Sequence, residues 1–209
     1  MTYISDFTRK RTMKRKFEIN KINFNDDTLK LYFSFINLKH LFRQGWLKSG
    51  IKKELCESTA DHSFGTAILI LDLANRFFPY LDKQKLLELA LFHEAGEILE
   101  GDITPCDGIT PEEKYEREYQ AAKNIFADLA NGEYYFNLWL EFESQKSPEA
   151  VLVKQVDKLE MALQAFFYHH ETGFSPEKFY ESSAKAIKDK NLKEIIKKVS
   201  EASENINKK

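Results

Sequence analysis

Apolar side chains recur along this chain at the three-to-four-residue spacing of helices, and alternating β-branched runs bounded by turn pairs do not occur. The pattern predicts an all-α fold. A first helix is expected over about residues 27–42, with Leu29, Leu31, Phe33, Phe35, Ile36 and Leu38 apolar, stopping near Gly45. After a polar connection, Ser58 or Thr59 can cap a second helix that runs to about Phe78 and is closed by Pro79. Its centre, Thr66 to Leu71, is apolar on every side, which suits a central helix. A third helix is expected over about 82–101, followed by a Pro/Asp/Gly loop to Gly108. A fourth begins at Pro111, Glu112 and Glu113. A shorter aromatic helix spans about 134–142. Ser147, Pro148 and Glu149 then open a long one reaching His169 and His170, with Leu152, Val156, Leu159, Leu163 and Phe166 as its stripe. Ser175, Pro176 and Glu177 repeat that start signal, and a Lys/Glu-rich helix from about Leu192 finishes the chain.

Composition narrows the class. The 209 residues suffice for one substantial domain, expected over 26–209 behind a basic, flexible tail at 1–25. Net charge is −2, so no global field favours nucleic acid or a membrane surface. Cys56 and Cys106 form no CxxC pair and no disulfide framework, which fits a reducing, cytoplasmic setting. No apolar run approaches the roughly 20 residues of a membrane span. The basic tail lacks an apolar core of signal-peptide length, so no secretory leader is expected.

The chemistry concentrates in one segment of the third helix. His93 and Glu94, with Glu97 and Asp102 shortly after, interrupt an otherwise apolar stripe, and buried polar groups need partners. On a helix Glu97 lies four residues from His93 and three from Glu94, so the three side chains can converge, a geometry suited to a hydrated cation. His62 lies on the central helix beside Gly65 and Thr66, where it is either a ligand or a satisfied core histidine. Asp157 borders the stripe of the long helix and is either a ligand or an ion-pair partner of Lys154 or Lys158. His169 and His170 point about 100° apart and read as a favourable helix-dipole contact rather than a metal pair.

The order His62, then His93-Glu94, then Asp157 resembles the HD-domain metal-dependent phosphohydrolases, in which a histidine, a His-Asp doublet and a distant aspartate surround a divalent metal. Further blocks look like the 5′-deoxynucleotidase branch: Leu41-Phe42-Arg43-Gln44-Gly45-Trp46, Glu57-Ser58-Thr59-Ala60-Asp61-His62-Ser63, Glu97 with Gly101-Asp102-Ile103-Thr104-Pro105, and Lys154-Gln155-Val156-Asp157-Lys158-Leu159-Glu160. The resemblance spans roughly residues 38–170. It implies an HD-type helical bundle of about six to eight helices, a homodimer, and removal of the 5′-phosphate from deoxyribonucleoside monophosphates.

By the same resemblance His62, His93, Glu94 and Asp157 hold one divalent ion, and Glu97 transfers a proton. Asp102 takes the sugar 3′-hydroxyl, Arg43 the phosphate, and Trp46 walls the sugar or base. Ser58 and Thr59 are phosphate contacts or helix caps. The mixed N/O ligand set is compatible with Mn, Co, Fe, Ni or Zn and selects none. Two departures stand out. The doublet is His-Glu, whose extra methylene adds about 1.5 Å of reach, and two residues separate Arg43 from Trp46 where the bacterial enzyme has them adjacent. No extra basic cluster stands near the motifs, which argues against a triphosphate, and the His-Glu doublet leaves open a low-activity relative that only binds metal or nucleotide.

Overall fold

The computed structural model describes residues 24–206, so the expected basic tail falls almost wholly outside the described residues. Among them ten α-helices and two 3₁₀ turns form a bundle without strands. The helices are α1 (Asp27–Phe35), α2 (Gln44–Lys48), α3 (Thr59–Phe77), α4 (Lys83–Phe92), α5 (Glu97–Glu100), α6 (Pro111–Phe126), α7 (Gly132–Ser144), α8 (Pro148–Thr172), α9 (Glu177–Ala186) and α10 (Lys190–Ile206). The count exceeds the expected six to eight because the third expected helix is split into α4 and α5 and the connection after the first holds the short α2.

The helices start where the chain's polar signals placed them. Ser58 accepts from the Asp61 amide and Asp61 returns the bond to Ser58, a reciprocal cap on α3. Thr110 and Ser147 cap α6 and α8, each followed by Pro at a first-turn position where no amide donor is needed. The apolar stripes of α3, α4 and α8 meet in one core. Ile70, Leu73, Leu86, Leu89, Val153, Val156 and Leu159 are buried there, each such burial stabilising by roughly 1.5–3 kcal/mol. Leu192 and Ile196 of α10 seal it from one side, and a smaller cluster around Phe126 and Trp139 joins α6 to α7.

The first expected helix ends early. α1 stops at Phe35, a 3₁₀ turn runs over Ile36–Lys39, and the chain then extends through Phe42. Phe42 forms an antiparallel bridge with Ser58, with Arg43 N donating to Glu57 O at 3.2 Å and Thr59 N to Leu41 O at 2.8 Å. That short ladder presses the Arg43 block against the start of α3.

The third expected helix is interrupted at His93. The amide of His93 still reaches Leu89 O, but Ala95, Glu97 and Ile98 bond only three residues back, to Phe92, Glu94 and Ala95. The chain tightens here because α6 lies directly on Gly96, where a Cβ would meet Glu118 Cβ at 2.7 Å and Glu118 O at 3.1 Å. Gly96→Ala is therefore expected to cost about 1–3 kcal/mol in urea unfolding. Gly45→Ala, with nothing within 4 Å of the added carbon, should leave stability unchanged or slightly raised. Equal midpoints for Gly96→Ala and wild type would refute the close approach.

Candidate functional site

Three ligand-type atoms converge where α3 passes the break after α4. His93 Nε2 lies 3.4 Å from His62 Nε2, and Glu94 Oε1 lies 3.5 Å from His62 Nε2 and 3.4 Å from His93 Nε2. The triangle is close to equilateral, and all three residues are buried. Its polarity follows from the other ring nitrogens. His93 Nδ1 is 2.8 Å from the Ala90 carbonyl, which can only accept, so that nitrogen carries the hydrogen. His62 Nδ1 is likewise 2.5 Å from the Glu160 carboxylate. With both rings neutral, the two Nε2 lone pairs would therefore point at each other and at a carboxylate oxygen.

Such an arrangement demands positive charge at its centre. Burial opposes charge on His62, and so does Arg43, but Glu160 and Asp157 prevail and push its pKa up to about 10. A divalent cation answers the same demand. Metal–ligand bonds of about 2.1 Å at tetrahedral angles place ligand atoms roughly 3.4 Å apart, close to the observed edges. The donor set fits a metal. Asp157 Oδ1 adds a further oxygen 3.2 Å from His62 Nε2, while its Oδ2 holds Lys158 at 3.1 Å. Burial resists its ionisation, yet Lys158 and His62 hold it well below the ordinary carboxylate range.

The break in the third helix is what accommodates Glu94. Outside regular helix its longer side chain still brings Oε1 level with both imidazoles, and the same oxygen accepts from Arg43 Nη1 at 2.9 Å. Arg43 also lies 3.7 Å from Glu97 and 3.7 Å from Asp102, so one guanidinium gathers three acids. Glu94 is kept ionised against burial by His93 and Arg43. Glu97 behaves oppositely: burial first, then the neighbouring Glu94 charge, raise its pKa well above the usual carboxylate value. It receives a hydrogen bond from Thr59 Oγ1 at 3.3 Å.

The remaining sequence candidates divide. Asp102 follows Gly101, whose φ of 86° turns the chain back toward the site, and it accepts from the Gln44 amide at the start of α2. Lys48 fastens this loop by reaching Thr104 Oγ1 at 2.7 Å and Asp107 Oδ1 at 2.5 Å. Trp46 is a packed residue, 2% exposed, with its indole N–H on Glu57 at 2.7 Å and its ring stacked on Phe179 at 4.2 Å, though it still borders the cavity. Ser58 and Thr59 are buried, with hydroxyls directed to Asp61 and Glu97, and neither lines the cavity. Ser58 is the cap of α3, while Thr59, the first residue of that helix, turns its hydroxyl to Glu97. His169 bonds the Phe174 carbonyl at the C-terminus of α8, and exposed His170 pairs with Glu171.

A cavity of about 710 Å³ opens over the triangle, large enough for a nucleotide-sized ligand. Tyr115, Trp139, Phe142, Met161 and Phe179 provide apolar surface, and Lys114, Lys154, Lys158 and Lys178 also line it. The expected lack of a nearby basic cluster is thus corrected: α6, α8 and α9 bring together lysines far apart in sequence. Lys114, Lys154 and Lys158 are met by Glu118, Glu143 and Asp157, so their net field is moderated. Three buried acids were given no role from the sequence: Glu57, Glu118 and Glu160. Glu160 was findable, since it lies three residues after Asp157 on the same face of one helix.

An all-α bundle with this histidine–carboxylate centre defines a class, and comparison agrees: the HD domain model matches residues 35–200, and the chain belongs to that family, which implies a divalent metal. Among curated relatives, the 5′-deoxynucleotidase HDDC2 of Dictyostelium discoideum is 42% identical over 64% of this chain and 73% of its own length. HDDC2 of Homo sapiens is 37% identical over 78% of each chain. Among solved structures, the PH0347 protein of Pyrococcus horikoshii OT3 superposes with a TM-score of 0.68 at 30% identity, covering 82% of this chain and 97% of that one. No helix among the described residues is long and apolar enough to cross a membrane.

Burial, followed by Lys114 acting the other way, leaves the Glu118 pKa raised from 4.5 to about 7. A raised folded-state pKa means stability that is fully present below about pH 4.5 and lost as pH climbs through 7. In metal-stripped protein, Glu118→Gln should match wild type at pH 4.5 and exceed it by about 1–3 kcal/mol at pH 8. Parallel stability profiles for the two proteins would contradict the assignment.

Proposed function

We propose that this chain is a 5′-deoxynucleotidase, which hydrolyses deoxyribonucleoside 5′-monophosphates to deoxynucleoside and phosphate. The observation that carries the reading is the buried triangle of two imidazole Nε2 atoms and a carboxylate oxygen, set beneath a nucleotide-sized cavity and beside the buried carboxyl of Glu97. The names of the relatives support the substrate class. His62, His93, Glu94 and Asp157 would hold one divalent ion, whose identity the mixed donor set leaves open among Mn, Co, Fe, Ni and Zn. When bound, the ion supplies charge against phosphoryl oxygens and lowers the pKa of adjacent water.

The chain's own groups do the rest. Burial and the neighbouring Glu94 raise the Glu97 pKa, which suits it to deliver a proton to the leaving 5′-oxygen. Arg43 offers its remaining donors to phosphate oxygens, the substrate competing with the three acids around it for the guanidinium. Asp102, fixed by the Gln44 amide, presents its other oxygen as an acceptor for the sugar hydroxyl. Phe142, Met161 and the edge of Trp46 offer apolar surface to sugar and base, a requirement that little distinguishes one base from another. Action in the cytoplasm as a homodimer completes the reading, on the unpaired cysteines and the family resemblance.

Phosphate release from dAMP, AMP and dATP, measured with each of Mn²⁺, Co²⁺, Ni²⁺, Zn²⁺ and Mg²⁺, tests it. Metal-dependent release from dAMP is expected, with Glu97→Ala lowering kcat about 10²–10⁴-fold. His62→Ala and Asp157→Ala should reduce bound metal per chain. Absence of metal-dependent release from all three nucleotides would sink the nucleotidase reading, and preference for AMP over dAMP would remove its deoxy component.

A further inference from the structure

Behind His62, on the side away from His93, the chain buries two carboxylates. Glu160 Oε2 is 2.5 Å from His62 Nδ1, and Glu57 Oε1 accepts the Trp46 indole N–H at 2.7 Å. One oxygen of each and a His62 nitrogen lie within 4.8 Å of one another. The set is not a second cation site in this fold. His62 Nδ1 carries its hydrogen toward Glu160, and a metal there would need both that hydrogen and the Trp46 bond removed inside a sealed core.

Space for Glu160 depends on one residue of the facing helix. A Cβ on Gly65 would come within 2.7 Å of Glu160 Oε1, 3.1 Å of its Cγ and 3.2 Å of its Cδ, so the carboxylate occupies the volume that glycine leaves empty. Gly65 lies three residues after His62 on α3, on nearly the same face. The helix that presents the imidazole thus also carries the notch that admits its partner.

We propose that Glu160 is a positioning residue for the candidate centre: seated by the notch at Gly65, it accepts the Nδ1–H of His62 and locks the imidazole in the tautomer and orientation that aim Nε2 at His93 and Glu94. The proposal rests on the reading of His62 as a metal ligand. The carboxylate does not touch the ion or substrate; it acts through the histidine. An imidazole without this partner can rotate or carry its hydrogen on Nε2, where it cannot ligate.

The test is Co²⁺ binding to the metal-stripped full chain, by calorimetry and by the cobalt absorption bands, with circular dichroism and melting temperature as folding controls. Glu160→Leu should raise Kd about 10–100-fold, while Glu160→Gln, which keeps an acceptor oxygen, should stay within about 3-fold of wild type. Gly65→Ala removes no charge and no ligand, yet should weaken Co²⁺ binding too. Combining it with Glu160→Leu should add nothing further, because both disrupt one interaction. If Glu160→Leu does not fold, Gly65→Ala and Glu160→Gln decide. Wild-type Kd in folded Glu160→Leu or Gly65→Ala, even with a lowered melting temperature, would overturn the proposal. A wild-type chain that binds Co²⁺ but releases no phosphate from dAMP would remove the nucleotidase reading and leave this one standing.

Discussion

Two imidazole lone pairs 3.4 Å apart, with a carboxylate oxygen almost equidistant from both, are the constraint around which this fold is organised. Each histidine's other nitrogen is held by an acceptor, so neither ring can turn away to relieve the repulsion. Positive charge must occupy the centre. The protein meets that requirement by surrounding it with anions, Glu94 and Asp157 directly and Glu160 from behind, which favour a cation strongly enough to overcome the cost of burial.

The same requirement explains the irregularities of the bundle. Regular helix through 93–101 would keep Glu97 and Glu94 on a rigid ladder, whereas the tightened turn lets Glu94 reach the two rings while Glu97 is buried beside Arg43. The early end of α1 has a similar consequence, because the Phe42–Ser58 bridge delivers Arg43 to a cluster whose acids come from more than fifty residues later. Small residues mark the close approaches. Gly96 admits α6 and Gly65 admits Glu160, and in both places a single methyl group would collide with a side chain that the site uses or abuts.

Within that frame the acids have different tasks because their surroundings differ. Glu94 and Asp157 lie next to cationic partners that favour their ionised form, while burial and the neighbouring Glu94 raise the Glu97 pKa well above the usual carboxylate value. Ligation and proton transfer are thereby separated among carboxylates only a few ångströms apart. The four lysines of the cavity wall extend the same balance outward, since three are met by acids of α6, α7 and α8.

Much of this was legible along the chain. Helical periodicity, Ser and Thr caps and Pro at helix starts determined the all-α class and most boundaries, because caps and stripes are local properties. His93, Glu94 and Glu97 were recognisable because polar groups on an apolar stripe need a reason, whereas His62, Asp102 and Asp157 took their roles from the resemblance of the blocks around them. Tertiary structure alone decided the break at His93, the packed position of Trp46, the contact of Thr59 with Glu97, and the lysines gathered from α6, α8 and α9. It also revealed Glu160 behind His62. Each depends on which helix lies against which, and side-chain contacts between segments as much as 98 residues apart leave no local periodic trace.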